Sequence, residues 1–170
     1  MNKALFLDRD GVINVDINYL YKIEDVQFID GIFELCKHYQ NLGFLIIVVT
    51  NQSGIVRGIY SEKDFDVLTS WMTKEFANRG IEIKKFYFCP HHPDISGECD
   101  CRKPHPGMLL AAAKEYDLDL KSSIMIGDKE RDIEAGLNAG LLETYLFDKS
   151  KSVKFSKATK IVSKLENIWK

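Results

Sequence analysis

The chain has 170 residues, 45% of them hydrophobic, and a formal net charge of −2. That length supports a single domain over residues 1–170 with a substantial core, and the near-neutral balance excludes the strongly basic field that draws a protein to nucleic acid or anionic membranes. The longest aliphatic run, Phe44 to Val49, falls far short of the roughly 20 residues of a membrane-spanning helix, and the apolar run before Asp8 is too short for a secretory leader, so a soluble cytoplasmic protein acting on small molecules is expected.

In chain order, Ala4 to Leu7 is a short apolar run that stops at Asp8, as a buried parallel strand does. Ile32, Phe33, Leu35, Cys36, Tyr39 and Leu42 recur near helical spacing, and Gly43 supplies the stop. Phe44 to Val49 is a second strand, ending at Thr50 and Asn51. Ser61 with Asp64 starts a helix whose apolar face, Phe65, Leu68, Met72 and Phe76, runs on toward Gly80. Ile83 to Cys89 reads as a strand, Pro106 to Tyr116 as a helix, Ser123 to Ile126 as a strand, Glu130 to Ala139 as a helix, and Leu142 to Phe147 as a fifth strand. The lysine-rich stretch Lys149 to Lys160 reads as a solvated edge. Alternating strands and helices predict an α/β fold with a doubly wound parallel sheet, in which ligands bind beyond the carboxyl ends of the strands.

Three polar clusters fall at those ends. Asp8 and Asp10 are two residues apart where the first strand stops, so their side chains can leave the sheet on the same side and share a magnesium ion. With the repulsion of a phosphate dianion lowered by the metal, Asp8 can attack phosphorus, while Asp10 protonates the leaving alkoxide and later activates water. Thr50 and Asn51 offer a hydroxyl and backbone N–H groups to phosphate oxygens. Lys103, just before a helix, offers an ammonium to neutralise Asp8 and the transferring group. Asp128 follows the fourth strand as a further magnesium ligand; Asp132, four residues on, is equally explained as an acid at a helix N-terminus, and no role is assigned to it.

Cys36 stands alone, but Cys89, Cys99 and Cys101 crowd around His91 and His92. Three thiolates and an imidazole form the ligand set of a closed structural zinc site, and the intervening polar loop lacks the apolar residues to fold by itself. In a reducing compartment that grouping suggests metal before disulfide.

The order of these clusters, DxD at the first strand, Thr at the second, Lys before a helix and GDxxxD at the fourth, resembles the haloacid dehalogenase superfamily of phosphatases from Asp8 to Asp132. Within it, Asp8-Arg9-Asp10-Gly11-Val12-Ile13-Asn14, Thr50-Asn51-Gln52-Ser53-Gly54-Ile55, Arg57-Gly58 and Cys101-Arg102-Lys103-Pro104 are similar to the D-glycero-D-manno-heptose 1,7-bisphosphate 7-phosphatases. The resemblance implies a Rossmann-like fold without a separate cap domain, catalytic Asp8, Asp10, Thr50 and Lys103, and magnesium on Asp8, Asp10 and Asp128. It also implies a zinc loop at about 89–101 held by Cys89, His91, Cys99 and Cys101, with His91 chosen over His92 because similar loops use the first histidine. A sugar bisphosphate feeding heptose and lipopolysaccharide synthesis is then the substrate, touched by Arg9, Asp16, Asn18, Tyr19, Asn51, Gln52, Ser53, Arg57, Arg102 and Lys129. Asn18 stands where the family more often has Gly. A monomer is expected. The alternatives are histidinol-phosphate hydrolysis, whose enzymes usually carry Glu at the position of Arg9, and a catalytically silent zinc-stabilised binding module.

Overall fold

The structure is a computed structural model that describes residues 1–170. Six strands form one parallel sheet: β1 (Lys3–Leu7), β2 (Phe44–Asn51), β3 (Ile83–Cys89), β4 (Ile124–Gly127), β5 (Glu143–Phe147) and β6 (Lys160–Val162), in the order β3-β2-β1-β4-β5-β6. The connecting helices are α1 (Ile32–Asn41), α2 (Glu62–Ala77), a single turn α3 (Pro93–Ser96), α4 (Gly107–Tyr116) and α5 (Glu130–Ala139). None is long and apolar enough to cross a membrane.

The period-2 alternation of the strands divides the core between the two faces of the sheet. Leu5, Leu7, Ile46, Val48, Ile124 and Ile126 face one way, onto residues of α1 and α2 including Leu35, Cys36, Met72 and Phe76. Ala4, Phe6, Ile47, Val49 and Met125 face the other, onto Met108, Leu109 and Ala112 of α4 and Ala135 and Ala139 of α5. Burying a side chain such as Phe6 or Leu35 contributes about 1.5–3 kcal/mol, which is why both faces of each central strand are apolar and alternation into polar residues begins only at the strand ends.

Local signals set the boundaries. Gly43, at φ +84°, turns the chain between α1 and β2. Ser61 caps α2 by accepting the Asp64 N–H at 3.0 Å while the Asp64 carboxylate accepts the Ser61 N–H at 2.9 Å. The stretch expected to be only a solvated edge differs in one respect: after exposed Lys149 to Phe155, the chain returns as β6 and buries Val162 and Leu165 in the core. A three-residue strand whose first residue is a lysine is too short to show alternation.

Candidate active site

β1 lies between β2 and β4, at the point where the strand order reverses, so Asp8 emerges at the centre of the carboxyl edge. Asp8, Asp128 and Asp132 bring their carboxylate oxygens within 4.8 Å of one another. Lys103 is the cation among them: its Nζ lies 2.8 Å from Asp8 Oδ1 and 2.8 Å from Asp132 Oδ1, and donates at 2.8 Å to the Val49 carbonyl. Two of its N–H bonds are thereby directed, to Asp8 and to the Val49 carbonyl, and Asp132 faces it as an ion pair. The other Asp132 oxygen accepts the Lys129 N–H at 3.0 Å, so this fully buried residue holds Lys103 and the start of α5.

The electrostatics follow from the count of charges. Burial, then Asp132, pushes the Asp8 carboxyl well above the usual range against the opposing pull of Lys103. Burial and Asp132 likewise raise Asp128. Burial pulls the Lys103 ammonium down, but Asp132 and Asp8 outweigh it and hold it above its usual value. Three carboxylates face one buried ammonium and the exposed Lys129 ammonium, 3.7 Å from Asp128 Oδ2, an excess of negative charge that a divalent cation would offset. The free acceptors are in the right place: Asp8 Oδ1 takes bonds from Lys103 and from the Arg9 N–H, which leaves Oδ2 open, and Asp128 Oδ1 is buried with no hydrogen-bond partner. Gly11, at φ +89°, keeps the space clear, since a Cβ there would collide with the Asp128 carboxylate. Asp8 and Asp128 therefore fit a magnesium site.

Asp10 does not join that group through its side chain, contrary to the expectation of a shared Asp8–Asp10 ligand pair. Its carboxylate accepts from Arg9 Nε (3.2 Å) and Nη2 (3.0 and 3.2 Å), from Asn14 Nδ2 (3.0 Å) and from Gln52 Nε2 (3.1 Å). Arg9, expected among the substrate contacts, is instead 1% exposed and spends its guanidinium on Asp10 and the Leu20 carbonyl. Thr50, expected as a phosphate donor, is fully buried, its hydroxyl accepting from Gln52 Nε2 at 2.9 Å. Asn51 clamps the backbone of Lys103 in both directions, accepting its N–H at 3.1 Å and donating to its carbonyl at 3.4 Å.

Above this floor opens a cleft of about 240 Å³ lined by Asp8, Asp10, Asp16, Asn18, Tyr19, Asn51, Gln52, Ser53, Arg57, Tyr60, Arg102, Lys103, Asp128, Lys129 and Arg131. Arg57, Arg102 and Arg131 make no ion pair, and Arg102 donates only to the His91 carbonyl, at 3.3 Å. Burial, and then the guanidinium of Arg131, lowers the Arg102 pKa. Arg131 and Tyr60 also line the cleft, outside the residues that the strand-end motifs point to: Arg131 follows Asp128-Lys129 in the chain, and Tyr60 follows the Arg57-Gly58 segment. Asn18 and Tyr19 both adopt left-handed backbone, at φ +58° and +59°, with the Asn18 N–H bonded to Asp16 Oδ1 at 3.0 Å. The occurrence of Asn where Gly is commoner has its reason here, because Asn tolerates this conformation better than other side chains do.

Behind Arg102, Cys89, His91, Cys99 and Cys101 present four donor atoms within 4.8 Å of one another. His91 Nδ1 is 3.6 Å from Cys89 Sγ and 3.4 Å from Cys101 Sγ, and Cys99 Sγ is 3.6 Å from each of the other two sulfurs. Cys89 and Cys101 are in disulfide contact. Apart from that pair, these separations of 3.4–3.6 Å are close to the roughly 3.5–3.8 Å between ligands around a tetrahedral zinc, so the cluster is compatible with a zinc ion. His92 points elsewhere, accepting the Asp94 N–H at 3.2 Å.

Comparison with known proteins agrees with this geometry. The HAD-hydrolase-like family profile matches residues 100–152. The D-glycero-alpha-D-manno-heptose-1,7-bisphosphate 7-phosphatase of Campylobacter jejuni is 55% identical over 149 residues, spanning 88% of this chain and 84% of that protein. The D-glycero-beta-D-manno-heptose-1,7-bisphosphate 7-phosphatase of Escherichia coli is 47% identical, over 81% of this chain and 75% of its own length. The crystal structure of D,D-heptose 1,7-bisphosphate phosphatase from B. bronchiseptica, complexed with magnesium and phosphate, superposes with a TM-score of 0.85 at 29% identity, covering 98% of this chain and 95% of that one. On these identities and coverages, the chain belongs to the heptose-1,7-bisphosphate 7-phosphatase family of HAD-like hydrolases.

Proposed function

We propose that the chain removes the 7-phosphate of D-glycero-D-manno-heptose 1,7-bisphosphate by way of an aspartyl-phosphate on Asp8, supplying heptose 1-phosphate for nucleotide-activated heptose. The observation that carries the reading is the pairing of one unbonded carboxylate oxygen, Asp8 Oδ2, with a rim of three unpaired guanidiniums across a single cleft. One end suits a phosphate that is transferred, the other a phosphate that is gripped.

Magnesium, held by Asp8 and Asp128, would screen the approaching dianion and take up charge developing on the phosphoryl oxygens. Lys103 holds the Asp8 carboxylate through Oδ1 while Asp8 bonds to phosphorus and the phosphorus–sugar oxygen bond breaks. Asp10 gives its proton to the departing 7-oxygen, then takes one from the water that attacks the same phosphorus and frees Asp8. Arg102, with Arg57 and Arg131, holds the 1-phosphate, while Asp16, Asn18, Tyr19, Ser53 and Lys129 contact the sugar. Zinc on Cys89, His91, Cys99 and Cys101 would have a closed ligand set and a structural role. The same reading has the protein act as a cytoplasmic monomer on a free sugar phosphate.

Phosphate release from each anomer of the heptose bisphosphate, from heptose 7-phosphate and from histidinol phosphate, with and without magnesium, tests the proposal. The bisphosphate is expected to lead by at least about tenfold in kcat/KM, the worth of one charge-assisted contact to the second phosphate. Preference for histidinol phosphate would move the substrate, and no magnesium-dependent release from any monoester would make the chain a binding module.

A further inference from the structure

The Asp10 carboxylate is the group whose direction matters most for proton transfer, yet nothing in the backbone fixes a side chain three residues beyond a strand. Arg9 and Asn14 hold Oδ1, and Oδ2 takes a weaker bond from Arg9 and one from Gln52. Gln52 is 3% exposed, and its amide group has three partners: Nε2 donates to Asp10 Oδ2 at 3.1 Å and to the Thr50 hydroxyl at 2.9 Å, while Oε1 accepts from the Tyr60 hydroxyl. A flipped amide would set its carbonyl oxygen against the acceptor-only Asp10 carboxylate and lose the bond from the Tyr60 hydroxyl, so the two partners together select one orientation.

Tyr60 is well suited to that task. It is 5% exposed, its ring stacks on Tyr21 with centroids 5.4 Å apart and planes 11° apart, and Gly54 closes on its edge so tightly that a Cβ would collide with it. Burial pushes its phenol up to about 12, so the hydroxyl keeps the proton it donates. Thr50 and Gln52, expected to touch phosphate and sugar, are joined in this same chain of bonds.

We propose that Tyr60 is a positioning residue of the phosphatase reaction, aiming the Asp10 carboxylate at the leaving oxygen through the fixed amide of Gln52. The inference rests on the reading of Asp10 as the general acid. A mispositioned acid hurts substrates that need the proton and spares those that do not.

The test compares an alkyl phosphate, heptose 1,7-bisphosphate, with 4-nitrophenyl phosphate in wild type, Tyr60→Phe, Gln52→Glu and Asp10→Asn, together with thermal melts. Tyr60→Phe keeps the stacked ring and removes only the hydroxyl; the ratio of alkyl to aryl kcat/KM, which reads the leaving-group step and not the later hydrolysis common to both substrates, is expected to fall about tenfold, with KM for the alkyl substrate within about twofold. Gln52→Glu, which turns an oxygen toward Asp10, is expected to lower that ratio further and reads out the same relay should Tyr60→Phe melt early. Equal losses on both substrates, or a rise in KM alone, would overturn the relay and make Tyr60 and Gln52 packing or substrate contacts. Asp10→Asn separates the two ideas: if it too fails to discriminate between leaving groups, the acid role of Asp10 falls, and if it alone discriminates, only the part given to Tyr60 does.

Discussion

The floor and the rim of the cleft are built by opposite means. Asp8, Asn14, Thr50, Gln52, Lys103 and Asp132 are each less than a tenth exposed and bonded to one another or to strand ends, whereas Asn18, Tyr19, Arg57, Lys129 and Arg131 stand in solvent on loops or on the first turn of α5. A buried charge must be paired to exist at all, so the floor is a network in which no member can change without orphaning another. A rim arginine has no such obligation and can be exchanged at little cost to the fold. The chemistry is therefore fixed where substitution is expensive, and the choice of sugar phosphate sits where it is cheap.

The hardest blow to that contrast is Asp8→Asn, expected to lower kcat more than about 10³-fold by removing the nucleophile while leaving the melting temperature and zinc content close to wild type. Wild-type-like turnover in that variant would end the covalent mechanism. A sharper comparison uses neighbours on one helical turn. Asp132→Asn breaks a fully buried ion pair and is expected to cost about 3 kcal/mol in denaturant unfolding, whereas Arg131→Ala should stay within about 0.5 kcal/mol, because an exposed unpaired arginine contributes little to the fold. Equal costs would erase the distinction between floor and rim.

Arg102→Ala addresses function at the rim. It is expected to lower kcat/KM for the bisphosphate by about 1.5–3 kcal/mol, roughly 10- to 200-fold, with a much smaller loss on an aryl monophosphate. A similar loss on both would trace the damage to Lys103 next door. The smallest effect belongs to the cysteine-histidine loop: Cys99→Ser should lose bound zinc, read by a metal-release dye, and lower activity about tenfold or less by loosening the segment that ends at Lys103. Full zinc retention in that variant would show that Cys99 is not a ligand.

Most of the fold is legible in the sequence because each boundary carries its own chemistry. The strand from Ile83 to Cys89 and the helix from Glu130 to Ala139 match the observed elements residue for residue, and the Ser61–Asp64 box marks the start of α2. Short elements escape: Pro93–Ser96 and Lys160–Val162 are too brief for any period to show. At the site, residue types at strand ends point to the right place but not to directions. Arg9 lies beside two aspartates in a loop, and whether its guanidinium turns out to a substrate or inward to Asp10 is decided by the Leu20 carbonyl and Asn14, which only the folded loop brings near. Arg131 was missed for the converse reason, since an arginine on a helix's first turn reads as solvated surface until Arg57 and Arg102 are seen across the same cleft.

The central place of β1 in the sheet also sets when the enzyme can exist. Asp8 belongs to the first strand made, yet its partners are Lys103, Asp128 and Asp132, and the strand that flanks it on one side, β4, is separated from it by more than a hundred residues of chain. Sheets closed by such distant pairings assemble late and slowly, because the loop must close before the contacts reward it. A chain emerging from the ribosome thus carries its nucleophile for most of its synthesis without the lysine that orients it or the aspartate that would help to hold its metal. The carboxylate group is complete only with β4 paired beside β1.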